Sequence, residues 1–163
     1  MKLLIRSLAV VLFTATSNVV LAQIEPPSGL EVSARVTSSG IVSVVLCNYS
    51  KASINVWNQY NSWGASHWRL FIVRNGKVSV YFQNPNRLFT KNSPSFVELS
   101  KGDCVKIKLD VNDGAWSGLD DKKVSFSAVD KVLVSYDVPT SKEGYSLKVW
   151  YGVIAAVAEF VGD

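Results

Sequence analysis

The chain has 163 residues, of which 48% are hydrophobic and 18% are charged, and its formal net charge at pH 7 is +4. This length fits a single domain that is large enough to bury a hydrophobic core. This charge falls to +2 once the residues predicted below to be a leader are removed, which leaves no strongly basic surface of the kind with which proteins bind nucleic acid or anionic membranes.

Residues 1–22 are predicted to form a cleavable secretory signal peptide. Lys2 and Arg6 flank the start of an apolar run that is too short and too polar to span a bilayer as a stable helix, although a membrane anchor is the alternative. Val20 and Ala22 place small residues where a signal peptidase recognises them. Cleavage would leave residues 23–163 with 15 basic and 13 acidic residues, a charge of +2, and no transmembrane segment. We therefore expect an exported protein, periplasmic in a Gram-negative bacterium and otherwise secreted, with no nucleic-acid partner.

Short alternating segments separated by turn residues predict β-strands through the rest of the chain. Strands are expected at 30–36 and 53–57, and the segment 41–47, apolar on both parities, is typical of a central strand covered on both faces. Further strands are expected at 96–99, 104–111, 124–129, 132–138 and 145–160. The last of these would be two strands bent at Gly152, with a short alanine-rich terminal helix as the alternative.

Residues 68–82 give the clearest local prediction, a β-hairpin. Asn75 and Gly76 separate two apolar runs, and this dipeptide favours a type I′ turn because both central residues need a positive φ. Counting outward from the turn pairs Val73 with Val78, Phe71 with Val80 and Leu70 with Tyr81.

These short strands, without a convincing helix, predict an all-β fold, an antiparallel β-sandwich of about eight or nine strands that forms one domain over residues 23–163. The architecture resembles the immunoglobulin-like superfold. Gly102 stands two residues before Cys104, where the immunoglobulin family has a Tyr, and an architectural resemblance by itself implies no function.

Cys47 and Cys104 are predicted to form a disulfide, because an even, low cysteine count in an oxidising compartment favours a bridge. Cys104 shares its strand face with Lys106 and Lys108, and Cys47 lies at the end of its own strand. Two antiparallel neighbours would bring these ends together, which predicts a cross-strand bond on the outer face of one sheet instead of a bridge through the core. Unpaired thiols are the alternative.

The window 57–68 is the most unusual part of the sequence, with three of the five Trp residues and the only His. Trp57 and Trp68 stand at strand ends and are expected to cap the core. Aromatic rings among amide and hydroxyl groups on a loop suit a protein hot spot or a sugar face. The candidate binding residues are Tyr60, Trp63 and His67, joined by Trp116 from a second loop.

Catalytic and metal-binding patterns are weak throughout. His67 is the only ordinary candidate for a catalytic histidine, and no Gly-x-Ser-x-Gly motif accompanies it. Two Cys and one His are too few for a zinc site. The oxygen-rich segment 110–121 misses the EF-hand spacing, so a turn explains it better than calcium does. We expect no catalytic residue, metal or cofactor.

The function expected from these observations is recognition of another protein by an exported, non-catalytic chain, such as an inhibitor, an immunity protein or an accessory protein. A carbohydrate-binding module that uses exposed Trp and Tyr residues is the alternative. A hydrolase of unrecognised type is a third possibility.

Overall fold

The computed structural model of the chain describes residues 29–83, 93–117 and 125–162, so the predicted signal peptide lies outside the described residues. The strands are β1 (Leu30–Val36), β2 (Ile41–Asn48), β3 (Ile54–Trp57), β4 (Trp68–Arg74), β5 (Lys77–Gln83), β6 (Phe96–Leu99), β7 (Cys104–Asp110), β8 (Trp116–Ser117), β9 (Lys131–Val138), β10 (Gly152–Val157) and β11 (Glu159–Phe160). Two short helices, α1 (Ser62–Ala65) and α2 (Lys142–Ser146), lie in the β3–β4 and β9–β10 connections.

Two larger sheets form a sandwich. One has the strand order β11-β1-β2-β7 and the other has the order β10-β9-β4-β5-β8, while β3 and β6 form a small separate sheet. The strand pairs are antiparallel except for β1 with β11. The expected all-β sandwich is confirmed. Within the described residues, no helix is long and apolar enough to cross a membrane.

The hydrophobic core lies between the two larger sheets because alternate residues of each strand point inward. Side chains with almost no exposed surface include Val42, Val44 and Leu46 on β2, Trp68 and Leu70 on β4, and Val132, Val134 and Tyr136 on β9. Strand β2 lies between β1 and β7, as expected for a central strand. The expectation that both of its faces are covered is wrong, because Ser43 on the opposite face is exposed and Val45 is only half-buried.

The predicted hairpin is confirmed, with its register. Strands β4 and β5 pair Val73 with Val78, Phe71 with Val80 and Leu70 with Tyr81. Asn75 and Gly76 have φ values of 50° and 73°, the positive values that a type I′ turn requires.

The predicted disulfide is also confirmed. Strands β2 and β7 are antiparallel neighbours that place Cys47 directly opposite Cys104, with their Cα atoms 4.1 Å apart. Such a spacing is typical of a non-hydrogen-bonded pair, in which facing side chains are closest. Both cysteines therefore belong to one sheet, and Cys104 is exposed on its outer side.

Two strand predictions are wrong. The described part of the segment 124–129 is a turn, in which the carboxylate of Asp130 accepts hydrogen bonds from the backbone N–H and the hydroxyl of Ser127. In the segment 145–160, a strand begins only at Gly152, because the hydroxyl of Ser141 accepts a hydrogen bond from the Gly144 N–H and thereby caps helix α2. The end of the chain forms β10 and β11 in place of the alternative terminal helix.

Candidate functional site

Two long connections meet at one end of the sandwich. The first, residues 49–67, contains β3 and α1 and leads into β4, and the second, residues 139–151, contains α2 and leads from β9 into β10. Trp68 at the start of β4 pairs with Tyr136, and Gly152 at the start of β10 pairs with Val138, close to the end of β9. Both connections therefore leave the five-stranded sheet at the same end. We call them the first and second connections.

Asn55 of the first connection is hydrogen-bonded to the second connection at two points. Its carbonyl oxygen accepts a hydrogen bond from the Trp150 N–H at 2.8 Å, and its side-chain Nδ2 donates to the Leu147 carbonyl at 2.8 Å. Residues 55 and 149 also form an isolated parallel β-bridge. Each hydrogen bond contributes about 1 kcal/mol net, so the two connections hold each other in place.

Helix α2 rests on Trp57, the last residue of β3. Trp57 is fully buried, and a Cβ placed on Gly144 would lie 3.4 Å from its ring and 3.0 Å from the hydroxyl of Ser141. A glycine at this position lets the helix approach the indole closely. The sequence expectation that Trp57 and Trp68 cap the core is confirmed, since both are fully buried.

An aromatic stack anchors the second connection to the core. Tyr136 of β9 stacks on Trp68 at a centroid distance of 4.6 Å, and the ring of Trp150 is nearly parallel to Tyr136 at 6.1 Å. Because Tyr136 is buried, the pKa of its hydroxyl is raised and the ring stays neutral. The segment that carries Trp150 is thus fixed both by backbone hydrogen bonds and by ring packing.

The predicted site residues Tyr60, Trp63 and His67 all lie on the first connection. Tyr60 is 88% exposed, whereas Trp63 and His67 are half-buried and line a depression of about 330 Å³ together with Pro139 and Ser141 of the second connection. Residues from both connections therefore meet in this depression.

His67 is positioned by its backbone and by its ring contacts. Its carbonyl oxygen accepts a hydrogen bond from the Asp137 N–H at 2.9 Å, and its imidazole packs edge-on against Tyr136. Desolvation lowers the pKa of His67 below its ordinary value, and the nearby Asp137 opposes this only in part. The imidazole is therefore neutral at neutral pH, when it can donate one hydrogen bond and accept another.

Trp116 does not join Tyr60, Trp63 and His67 on an exposed surface. It begins β8, which pairs with the end of β5, and only 8% of its surface is exposed. Its indole N–H donates to the Asp110 carbonyl oxygen at 2.9 Å, so its polar group is satisfied inside the fold. Trp116 is a core residue, and we leave it out of the candidate site.

The structure adds aromatic residues that the sequence interpretation missed. Tyr145 and Tyr151 are 87% and 61% exposed, and with Trp150 they line a groove of about 600 Å³. The far side of the groove is β3, through Ile54 and Asn55. The sequence pattern places Tyr145, Trp150 and Tyr151 in a strand, whereas the structure has Tyr145 in α2 and the other two before β10. A signal in the sequence could have shown that this segment is not a strand. Ser141 is a typical helix-capping residue, and the polar residues Lys142 and Glu143 with Gly144 follow it.

We call the aromatic side chains that the two connections present to solvent, fully or in part, the loop surface; they are Tyr60, Trp63, His67, Tyr145 and Tyr151. Tyr60 lines neither the depression nor the groove, and instead lines a separate depression with Gln59 and Lys106. In the described ranges 29–83, 93–117 and 125–162, no group of three or more His, Cys, Asp or Glu side chains is arranged to hold a metal ion. The carboxylates of Asp110 and Asp113 instead accept hydrogen bonds from the backbone N–H groups of Asn112 and Ala115. These bonds are typical of Asp-stabilised turns, so a turn explains residues 110–115. The chemistry that the loop surface offers is ring stacking and neutral hydrogen bonding.

No protein-family model, no curated protein and no solved structure matches this chain.

Proposed function

We propose that this chain is an exported, non-catalytic protein that binds a protein partner through the loop surface. The observation that carries the proposal is the mutual bonding of the first and second connections through Asn55, which fixes the backbone between the exposed Tyr145 and Tyr151 against β3. Inhibitors, immunity proteins and accessory proteins are the functional classes that fit a binding surface of this kind.

Exposed tyrosines on a rigid support favour protein recognition for energetic reasons. Tyr60, Tyr145 and Tyr151 bury little surface in the folded chain and therefore add little to its stability. A tyrosine presents a large, amphipathic contact area with only two side-chain torsions to fix, so it binds a partner at a low entropic cost. Support of the loops by hydrogen bonds lowers this cost further, because less backbone has to be ordered on binding.

The proposed fold is an immunoglobulin-like sandwich, and the strand order supports it. The order β10-β9-β4-β5 corresponds to strands G, F, C and C′ of a variable-type domain, and β1-β2-β7 corresponds to strands A, B and E. In that correspondence the first and second connections are the B–C and F–G loops, which variable domains use for recognition. The disulfide departs from the immunoglobulin pattern, since it joins two strands of one sheet.

Export is proposed from the leader-like residues 1–22 and is supported by the disulfide, because disulfides persist in oxidising compartments. The compartment would be the periplasm in a Gram-negative bacterium and the extracellular medium otherwise.

The test starts from the native host. The chain is immobilised, bound protein is identified from an extract of the exported fraction, and the purified partner is titrated against the chain by calorimetry. We expect a stoichiometric complex whose Kd rises about tenfold or more in the Tyr145→Ala/Tyr151→Ala double variant, since exposed tyrosines at an interface centre contribute 1 kcal/mol or more each. Tyr49→Ala is the matched control, because Tyr49 is an exposed tyrosine that begins the first connection but is not part of the loop surface and lines neither the groove nor the depression. A complex with an unchanged Kd in the double variant, or no reconstituted complex, would overturn the proposal.

A carbohydrate ligand is the second candidate, favoured by the groove in which the rings of Tyr145, Trp150 and Tyr151 stand beside the polar side chains of Asn55 and Lys148. Aromatic rings flanked by hydrogen-bonding groups suit the apolar face and the hydroxyls of a sugar. A panel of oligosaccharides would then shift tryptophan fluorescence in the wild type and leave Tyr151→Ala unchanged. If no glycan perturbs the wild-type spectrum, this candidate is eliminated.

A further inference from the structure

The outward face of the five-stranded sheet carries a continuous band of apolar side chains. The strand registers align Val157 of β10, Leu133 of β9, Phe71 of β4 and Val80 of β5 in one row across the sheet. Around this row lie Val78, Phe82 and Val153, and the valines and phenylalanine of β5 and β10 on this face are 37% to 61% exposed. We call this surface the outer sheet face.

Such a face is unusual for a sheet whose other side already packs on the core. An antiparallel sheet with one buried side normally presents polar side chains to water on the other. The strands β10, β9, β4 and β5 lie about 4.8 Å apart and the face extends about 20 Å along them, so its area is roughly 400 Å² in projection, which includes the polar side chains of Arg69, Ser135 and Asp137. This is within the size of the largest apolar patch on a typical monomer, about 300–600 Å², and such a patch is often functional.

Charges at the two ends of β9 indicate which partner fits. Lys131 and Asp137 lie six positions apart on the outward parity of β9, with Leu133 and Ser135 between them. Asp137 also accepts a hydrogen bond from Arg69 at 3.3 Å, and its side chain remains 36% exposed. A carboxylate accepts several hydrogen bonds, so a second cation can bind it.

We propose that the outer sheet face is a homodimer interface in which β9 of one copy lies antiparallel across β9 of the other. A two-fold axis between Leu133 and Ser135 places Lys131 of each copy against Asp137 of the other, which gives two equivalent ion pairs at the ends of the apolar band. The same axis brings Val80 of one copy over Phe82 of the other. In the alternative face-to-face arrangement the two β9 strands are parallel, and Lys131 of one copy then faces Lys131 of the other. Like charges in contact are destabilising.

The size of the face predicts a weak dimer. Stable interfaces bury about 800 Å² on each partner, and smaller ones belong to weak or transient complexes. We expect a dissociation constant in the micromolar range, about 1–100 µM. Sedimentation equilibrium from about 1 µM to 1 mM chain covers this range and reports the oligomeric state directly.

Val80→Glu should raise the dimer Kd tenfold or more, because it places a charge in the apolar band. Val129→Glu is the control, since Val129 is an exposed valine in the turn before β9 and lies off the sheet; it is 85% exposed, against 41% for Val80. Thermal melts show whether each variant is folded, and Val80→Ser provides a milder change if the glutamate variant is not. A wild-type chain that stays monomeric at the highest concentration, or an equal effect of the two glutamate variants, would overturn the proposal.

A charge exchange tests the two-fold arrangement. Lys131→Glu alone should weaken the dimer severalfold, because the new carboxylate of each copy then faces Asp137 of the other copy at each end of the apolar band. Adding Asp137→Lys should recover affinity relative to either single variant, since opposite charges then face each other again. Absence of recovery contradicts the antiparallel arrangement. These measurements are independent of the loop surface, so the Tyr145→Ala/Tyr151→Ala variant should dimerise as the wild type does.

Discussion

The side-chain amide of Asn55 donates a hydrogen bond of 2.8 Å to the carbonyl of Leu147, a residue 92 positions further along the chain. This bond, with the Trp150 N–H to Asn55 carbonyl bond beside it, fastens the second connection to β3. The arrangement of the loop surface therefore depends on one polar side chain that is itself half-buried.

Replacement of Asn55 by Ala should loosen the second connection. The Leu147 carbonyl loses its partner, which should lower the free energy of unfolding by about 1–2 kcal/mol. Amide hydrogen exchange should become faster at residues 147–151 while the strands of the five-stranded sheet stay protected. Asn112→Ala is the control, because Asn112 also donates to a backbone carbonyl, that of Ser39, at an exposed site away from the loops. Equal exchange rates in the two variants would contradict the role given to Asn55.

Gly64 is required by close backbone packing inside the first connection. A Cβ at this position would lie 2.1 Å from the Asn58 carbonyl oxygen, so Gly64→Ala must displace the backbone of α1 or of the segment before it. The expected cost is about 1–3 kcal/mol in the free energy of unfolding, as for other overpacked sites. Gly162→Ala, where a Cβ meets open space, should be nearly neutral. Denaturant titrations of the two variants measure the difference, and similar midpoints would refute the packing argument.

Removal of the disulfide should destabilise the sandwich strongly. The bond closes a loop with a sequence separation of 57, for which the chain-entropy model gives about 4 kcal/mol. We expect the Cys47→Ser/Cys104→Ser double variant and the reduced wild type to unfold at similarly lowered denaturant concentrations. If both unfold at the midpoint of the oxidised protein, the bridge contributes no stability.

Asp130 should make stability depend on pH in the acid range. The guanidinium of Arg74 bonds both of its carboxylate oxygens, at 2.7 and 2.8 Å, and lowers the pKa of Asp130 from 3.8 to about 2. Because the pKa is lower in the folded state, this stabilisation is fully present above the unfolded pKa and is lost as the pH falls from about 5 to 2. Solvent screening of the half-exposed Arg74 limits the effect to about 1 kcal/mol.

Urea unfolding at several pH values, with the wild type and the Asp130→Asn variant, measures this contribution. The difference in unfolding free energy between the two proteins should be largest near pH 6 and should shrink toward pH 2. In an Arg74→Gln background the same difference should be smaller near pH 6 and should change less between pH 6 and pH 2, since Arg74 is the principal cause of the low pKa. A difference that stays constant with pH would show that the ion pair contributes nothing.

Local sequence patterns determined the parts of the fold that depend on near neighbours. Asn75 and Gly76 were sufficient to predict the β4–β5 hairpin and its register, because a two-residue turn fixes which residues face each other. Parity along β2 and β7 was sufficient to predict a bridge on the outer side of one sheet, since alternate residues of a strand point to opposite faces. The burial of Trp57 and Trp68 could be predicted from their positions at strand ends.

Tertiary packing decided the loop surface and the outer sheet face. Trp116 and Trp63 both stand in loop-like sequence, but the pairing of β8 with β5 places Trp116 in the core. The segment before Gly152, with Tyr145 and Tyr151, does not form a strand because Ser141 caps a helix there. The contact of Asn55 with Leu147 joins residues with no local relation, and the exposure of Val80 depends on what packs against its sheet. The sequence by itself determined the Asn75–Gly76 turn and the parity of the strands, because these are set by neighbouring residues, and strand parity together with the cysteine count predicted the disulfide. Only the folded chain determined which loops meet and which apolar faces remain uncovered, because those contacts join residues that are distant in sequence.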